Sequence, residues 1–284
     1  MDKIAILVDS GTDVQEGLRE EYDIDVISLE INYSDGSYDD FSISPDEVYK
    51  RMEEGIIPST SIPSLGKIAE KYEQIKERGY DGILCLSISS SLSGMYNAFN
   101  LAKDYVEGIK IKVIDTKNIS FAGGFFAIFA RELNRMGKNL DEIFEILMSK
   151  IQDSKVFITF DTLKYLVHGG RIGKVGGRIG EFLKLKPLVS CDENGVFYPA
   201  GLNRGVERNQ RDLIKKVREH LKDSKEYYFA IMHGKNEEGF NDLKEKLSDL
   251  VGKAKFYFEG QVYPSIAIHT GPGTLGVGCF PLDR

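Results

Sequence analysis

The 284-residue chain contains no tryptophan, only four histidines and only three cysteines. Each shortage closes off a class of protein. Cys85, Cys191 and Cys279 lie far apart and are odd in number, so they build neither a disulfide framework nor a paired thiolate metal site. Reduced thiols in a cytoplasmic protein are the expectation. Basic residues are in the minority: 37 Lys and Arg stand against 44 Asp and Glu, a formal charge of −7. That balance argues against bulk binding to nucleic acid or to anionic membrane. Long apolar runs are missing too. Only five apolar residues separate Lys3 from Asp9, too few for a signal-peptide core. The stretch "FAGGFFAIFA" (121–130) falls far short of the ~20 residues of a membrane span. No integral membrane segment is expected, and no repeat or low-complexity linker divides the chain.

What is present is a hydrophobic fraction of 42%, enough for a sizeable core, and a regular alternation of strand and helix signals. "KIAILVD" (3–9) reads as a buried strand. Asp13 followed by Glu16 reads as a capping box opening a helix through about Tyr22. "DVISLEI" (25–31) is a strand, and "NYSDGSYDDF" carries an Asp-Gly turn that predicts a hairpin. Ser44-Pro45-Asp46-Glu47 opens a helix, and "SLGKIAEKYEQIKERG" (64–79) has apolar residues at helical spacing. Strands at 81–88 and 110–115, with helices after each, complete a pattern that requires a parallel, helix-covered sheet.

Beyond about residue 154 the pattern loosens. "VFITF" (156–160) is a strand, "LKYLVHGG" (163–170) a short helix, and "PLVS" and "VFYPAG" a strand pair. A helix at 206–222, a strand at 227–233, a helix to about Leu250, and strands "AKFYFE" and "SIAIHT" follow. The expected fold is α/β: an amino-terminal parallel-sheet domain over 1–154 and a carboxy-terminal α+β domain over 155–284.

Candidate chemistry starts with "ILVDSGTD" (6–13), an apolar run into Asp-Ser-Gly as in one half of an aspartic protease site. Such a site needs two aspartates sharing a proton. Asp115 is followed by Thr-Lys and Asp192 by Glu, so no second motif exists, and "DSGTD" reads instead as a strand-to-helix turn on the rim of a ligand crevice. "GPGTLG" (271–276) has too little chain after it for a dinucleotide unit. "GGRIGK" (169–174) lacks the residues a P-loop needs around it.

Two hydroxyl clusters carry more. "PSTSIPS" (58–64) places Thr60, Ser61 and Ser64 at the mouth of one helix. "SISSSLSGMYNAF" (87–99) places Ser87, Ser89, Ser90, Ser91 and Ser93 before another that begins near Gly94. Hydroxyls and free N–H groups at a helix start can receive a carboxylate or phosphate; ordinary turn and cap chemistry accounts for them equally well. Ser93 with His269, His233 or His168 would be a serine hydrolase or lipid esterase. The flanks of Ser93, however, lack the glycines of a nucleophile elbow, and spacing suggests no acid partner. His220 reads as a surface residue. Lys164, Arg171, Lys174, Arg178, Lys184 and Lys186, against Glu181 alone, form a local basic face.

Together "DSGTD", "TSIPS", "SLSGMYNA", "TLKYLVHGGRIGK" and "HTGPGTLG" resemble the DegV family, bacterial fatty-acid-binding proteins, in family order and over essentially the whole chain. The resemblance implies one long-chain fatty acid, such as palmitate, stearate or oleate, held between the two domains, with no metal and no catalysis by the chain itself. It further implies a FakB-type carrier that presents the carboxylate to a separate dihydroxyacetone-kinase-like fatty acid kinase, which makes acyl phosphate for phospholipid synthesis. By motif, Thr60 and Ser93 match the carboxylate-binding positions, with Ser61 and the Gly94 N–H beside them. His269 matches the histidine at the head group. Arg171 and Arg204 match the exposed, partner-facing rim, although "GLNRGVERN" has fewer basic residues than is usual there. Ile62 stands where glutamine is frequent. A monomer is expected. Burying a fourteen- to sixteen-carbon chain at ~0.8 kcal/mol per methylene gives a gross gain of about 11–13 kcal/mol, before the costs of binding. "FAGGFFAIFA" is a candidate wall for that chain, or an ordinary buried helix.

Overall fold

The computed structural model describes residues 2–178 and 186–284. Strand β1 (Ile4–Asp9) is six residues of aliphatic run ending in Asp, all buried. A 3₁₀ turn (Ser10–Thr12) leads to α1 (Glu16–Glu21), β2 (Ile24–Ile27), β3 (Glu30–Tyr33) and β4 (Gly36–Asp39). Next come α2 (Pro45–Glu53), β5 (Ser59–Ser61), α3 (Leu65–Glu77), β6 (Gly82–Ser87), α4 (Met95–Ala102), β7 (Lys110–Asp115), α5 (Phe121–Arg135) and α6 (Leu140–Lys150).

Strands β2-β1-β6-β7 form a four-stranded, wholly parallel sheet. Parallel strands need cover on both faces, and alternation along β1 and β6 supplies it. Ala5, Leu7, Ile83 and Cys85 pack with Ile68, Tyr72 and Phe99 of α3 and α4. Ile4, Ile6, Val8, Leu84 and Leu86 face the opposite way, toward α5 and α6. The expected hairpin is β3–β4, with Tyr33 opposite Gly36, and β5 adds on the other edge of β3.

After α6 come β8 (Lys155–Thr159), α7 (Lys164–His168), β9 (Lys186–Cys191), β10 (Phe197–Asn203), α8 (Val206–Leu221) and β11 (Tyr227–Gly234). The chain closes with α9 (Glu237–Lys246), α10 (Ser248–Val251), β12 (Phe256–Gln261), α11 (Pro264–Thr270) and β13 (Thr274–Pro281). The second sheet runs β10-β9-β8-β13-β11-β12, antiparallel except for the β11–β12 pair. Its two faces have different tasks. Phe157, Phe229, Ile231, Val277 and Cys279 bury α8 and α9. Val156, Ile158, Ala230, Met232 and Phe280 belong instead to the core shared with α5 and α11. The sheet thereby meets the first sheet's helix layer.

Three local expectations are corrected. Asp13 caps no helix: α1 is preceded by Gln15, and Asp13 adopts a left-handed conformation with φ 53°. Its carboxylate is spent elsewhere, as described below. "SIAIHT" is helix α11, not a strand; Pro264 stands in its first turn, and Pro264–Ile268 are all buried, so no amphipathic period distinguishes it from a buried strand. The final strand β13, read only as a glycine turn, lies inside the second sheet, between β8 and β11.

Candidate functional site

The loop between β5 and α3, the loop between β6 and α4, α7 with its glycine exit, and α11 converge on one cavity of about 60 Å³. Thr60, Ser61, Ser93, Gly94, Arg171 and His269 all line it. Four sequence motifs distant in the chain thus supply one wall each. Arg204 is not in the lining; it is exposed between β10 and α8.

Thr60 and His269 are joined directly, Oγ1 to Nε2 at 2.8 Å. His269 is mostly buried, and burial, reinforced by the charge of Arg171 and by His168, pushes its pKa down to about 4. The ring is therefore neutral near pH 7. An Nε2–H donated to Thr60 Oγ1 leaves the threonine proton free to be given to a ligand anion. Gly169 makes this ring position possible: a Cβ there would lie 2.1 Å from His269 Nδ1. Arg171 reaches across with Nε donating to Leu92 O (3.1 Å) and Nη1 to Gly169 O (2.6 Å). A cation is thus fixed on the cavity wall by bonds to main-chain oxygens. Ser93 Oγ accepts from Met95 N–H at the start of α4 (3.3 Å), where the first N–H groups have no intrahelical acceptor. Ser61 Oγ is engaged by Asn32 (2.9 Å) and Glu30 (3.3 Å).

The remaining hydroxyls are structural. Ser89 and Ser91 donate to Gly195 O and Asn194 O in the β9–β10 turn, and Ser64 caps α3. The basic face is partly neutralised by pairs of Lys174 with Asp192 (2.5 Å) and Lys186 with Asp161 (2.8 Å). Glu181 and Lys184 lie outside the described residues. A hydrolase arrangement is not supported: His269 bonds Thr60 rather than Ser93, and its Nδ1 has no partner where a triad acid would stand. His233 and His220 are engaged with Asn236 N–H and Asp153 O.

"DSGTD" forms no rim. Asp9, Ser10, Thr12 and Asp13 are buried and do not line the cavity; they brace it from behind. Ile88 N–H donates to Asp9 (2.9 Å), in the loop that leads to Ser93. Asp13 accepts from Ser120 Oγ (2.5 Å) and Tyr263 N–H (2.7 Å), and Asp40 accepts from Ser265 N–H (2.7 Å) and Oγ (2.5 Å). Two buried carboxylates from the first half therefore grip the start of α11, the helix that carries His269.

Behind the polar end lies a second cavity of about 30 Å³ that shares Ile119, Ile266 and Thr270 with the first. Phe121, Ala122, Val156, Ile158, Met232 and Val262 contribute to its wall. Its hydroxyls are already committed: Ser120 to Asp13, Thr270 to Ile266 O, Thr274 to Thr270 O and Gly271 O. No polar ligand would be satisfied there. In "FAGGFFAIFA", Phe121 and Ala122 face this space. Gly123 and Gly124 serve another purpose, letting α5 approach the turn after β1; a Cβ on Gly124 would lie 2.7 Å from Thr12 O.

Hydroxyl and N–H donors at one end and an apolar extension at the other make this a candidate site for an amphiphilic acid. Among the described residues no group of side chains could hold a metal ion, and no helix is long and apolar enough to cross a membrane.

The chain belongs to the DegV family, whose sequence profile, described as "Uncharacterised protein, DegV family", matches residues 3–282. A DegV domain-containing protein of Clostridium acetobutylicum is 39% identical over 284 residues, covering 99% of both chains. A fatty acid-binding protein of Thermotoga maritima is 35% identical over 291 residues, also covering 99% of both. The solved structure of a fatty-acid-binding DegV family protein from Thermus thermophilus matches with a TM-score of 0.92 at 29% identity, over 99% of this chain and 100% of that one.

Proposed function

We propose that this protein binds one long-chain fatty acid and presents its carboxylate to a separate fatty acid kinase, which forms acyl phosphate for phospholipid synthesis. The observation that carries the reading is that two neighbouring cavities share Ile119, Ile266 and Thr270 in their walls. Thr60, Ser93, Gly94 and His269 sit at one end, and the other is mainly apolar, with the hydroxyls of Ser120, Thr270 and Thr274 bonded within the protein. The acid would lie between a first domain of residues 1–154 and a second of 155–284. Arg171 and Arg204 would meet the kinase. The carrier acts as a cytoplasmic monomer and contributes no catalytic group of its own.

Energetics divide the labour between the two ends. Apolar burial supplies most of the affinity, at about 0.8 kcal/mol per methylene. Each hydrogen bond to the charged head adds roughly 1.5–3 kcal/mol before desolvation and fixes which end faces out. Palmitate labelled with ¹³C at the carboxyl tests this division. On the protein the head group should remain ionised to a pH below that of the free acid, because donors to the charged form lower a carboxyl pKa. Thr60→Val should weaken binding about 10- to 100-fold. Wild-type-like affinity and titration in Thr60→Val would remove the head-group assignment.

A further inference from the structure

Strand β13 meets the apolar cavity with Thr274, Gly276 and Gly278, the residues of one face. Gly276 is paired with Met232 of β11 on one side and Ile158 of β8 on the other. Both neighbours also line the cavity, so one row of the sheet reads side chain, gap, side chain. The next row is Ala230, Gly278 and Val156. The two glycines are not equivalent. A Cβ built on Gly276 meets nothing within 4 Å, whereas one on Gly278 lies 3.1 Å from the Phe125 ring and 3.4 Å from Ala122 N. At 276 the floor of the cavity is open; at 278 helix α5 closes down on it.

From this geometry, and resting on the fatty-acid reading above, we propose that Gly276 sets the acyl-chain length the protein accepts. The hydrocarbon passes the waist at Ile119, Ile266 and Thr270 and ends in the gap left by Gly276. Phe125 over Gly278 is the stop. Gly276 lies in strand β13 and is not among the positive-φ residues. An L side chain is therefore tolerated by the backbone, and a β-branched one suits a strand. The glycine is thus not required for the fold.

The experiment compares wild type, Gly276→Ala and Gly276→Val with saturated acids of ten, twelve, sixteen and eighteen carbons, by displacement of a fluorescent fatty acid. Thermal melts of each unliganded protein are recorded alongside. Each methylene that no longer fits should weaken binding about fourfold. Gly276→Val should therefore lose the sixteen- and eighteen-carbon acids by more than tenfold yet keep the ten-carbon acid within about twofold, with Gly276→Ala between. Equal affinity of wild type and both variants for every length would overturn the gauge and leave the carrier reading standing. So would a uniform loss across all lengths, which would mark Gly276 as a general packing position. If wild type binds none of the acids, the carrier reading fails and the gauge falls with it. Should Gly276→Val melt early, Gly276→Ala decides alone, through a preference shifted toward the shorter acids.

Discussion

A hydroxyl that is to receive a carboxylate must have its proton pointed at the ligand, and in the proposed head-group role of Thr60 that task falls to His269. The 2.8 Å contact between them leaves the threonine proton free for a ligand when Nε2 carries the imidazole proton. Burial and the neighbouring Arg171 charge hold its pKa near 4, well below the ordinary histidine range. Protonation would place a second cation beside Arg171 inside a cavity wall. An NMR titration should therefore show His269 unprotonated from pH 8 down to about 5, and ligand affinity should be insensitive to pH between 6 and 8. A histidine midpoint near 6.5 would contradict this picture. At this scale the sequence was informative, because hydroxyls, glycines and a histidine in short motifs carry their chemistry locally. What it hid was partnership: that Ser61, Ser89 and Ser91 are consumed by Asn32, Gly195 and Asn194 is a matter of tertiary contact.

Helix α11 is short, and its first turn would leave N–H groups unsatisfied without Asp13 and Asp40. Both carboxylates are buried, and burial pushes Asp13 up to about 8 and Asp40 to about 6; Asp9, behind the Ser93 loop, is likewise raised by burial to about 7. Since the folded pKa exceeds the unfolded value of 3.8 at each site, the folded state holds extra protons between roughly these limits. This contribution to stability is full below pH 3.8 and is lost as pH rises through 6 to 8. Unfolding free energy should thus decline between about pH 4 and 8, on the order of ten kcal/mol at most. Asp13→Asn or Asp40→Asn should flatten the slope, as urea titrations at each pH would show; a slope unchanged in both variants would refute the assignment.

None of this was visible in "DSGTD", which looked like a cap or a crevice rim. A buried aspartate and a capping one occupy the same kind of turn and differ only in what stands opposite, here Tyr263, 250 residues away. Helix α11 was misread for a related reason. A helix buried on nearly every side shows no 3.6-residue period. The parallel strands, by contrast, were legible because burial on both faces forces continuous aliphatic runs such as Ile4–Val8.

For the molecule as a whole, the two larger sheets, of different design, meet through one shared core, and the candidate site lies on that seam. The parallel sheet brings the Ser93 loop to the carboxyl end of β6, Thr60 and Ser61 come from β5 of the small antiparallel sheet, and the mixed sheet offers a face on which one strand carries glycine where its neighbours carry Met232 and Ile158. Among the described residues the local basic face of this acidic protein is partly paired, Lys174 with Asp192 and Lys186 with Asp161. The proposed partner is an amphiphile held inside. Native mass spectrometry of the purified protein, followed by denaturing lipid extraction, tests that most directly. A single stoichiometric adduct with the mass of a long-chain fatty acid is expected, released on denaturation and restored when palmitate or oleate is added back. A clean unliganded mass that takes up neither acid would contradict it.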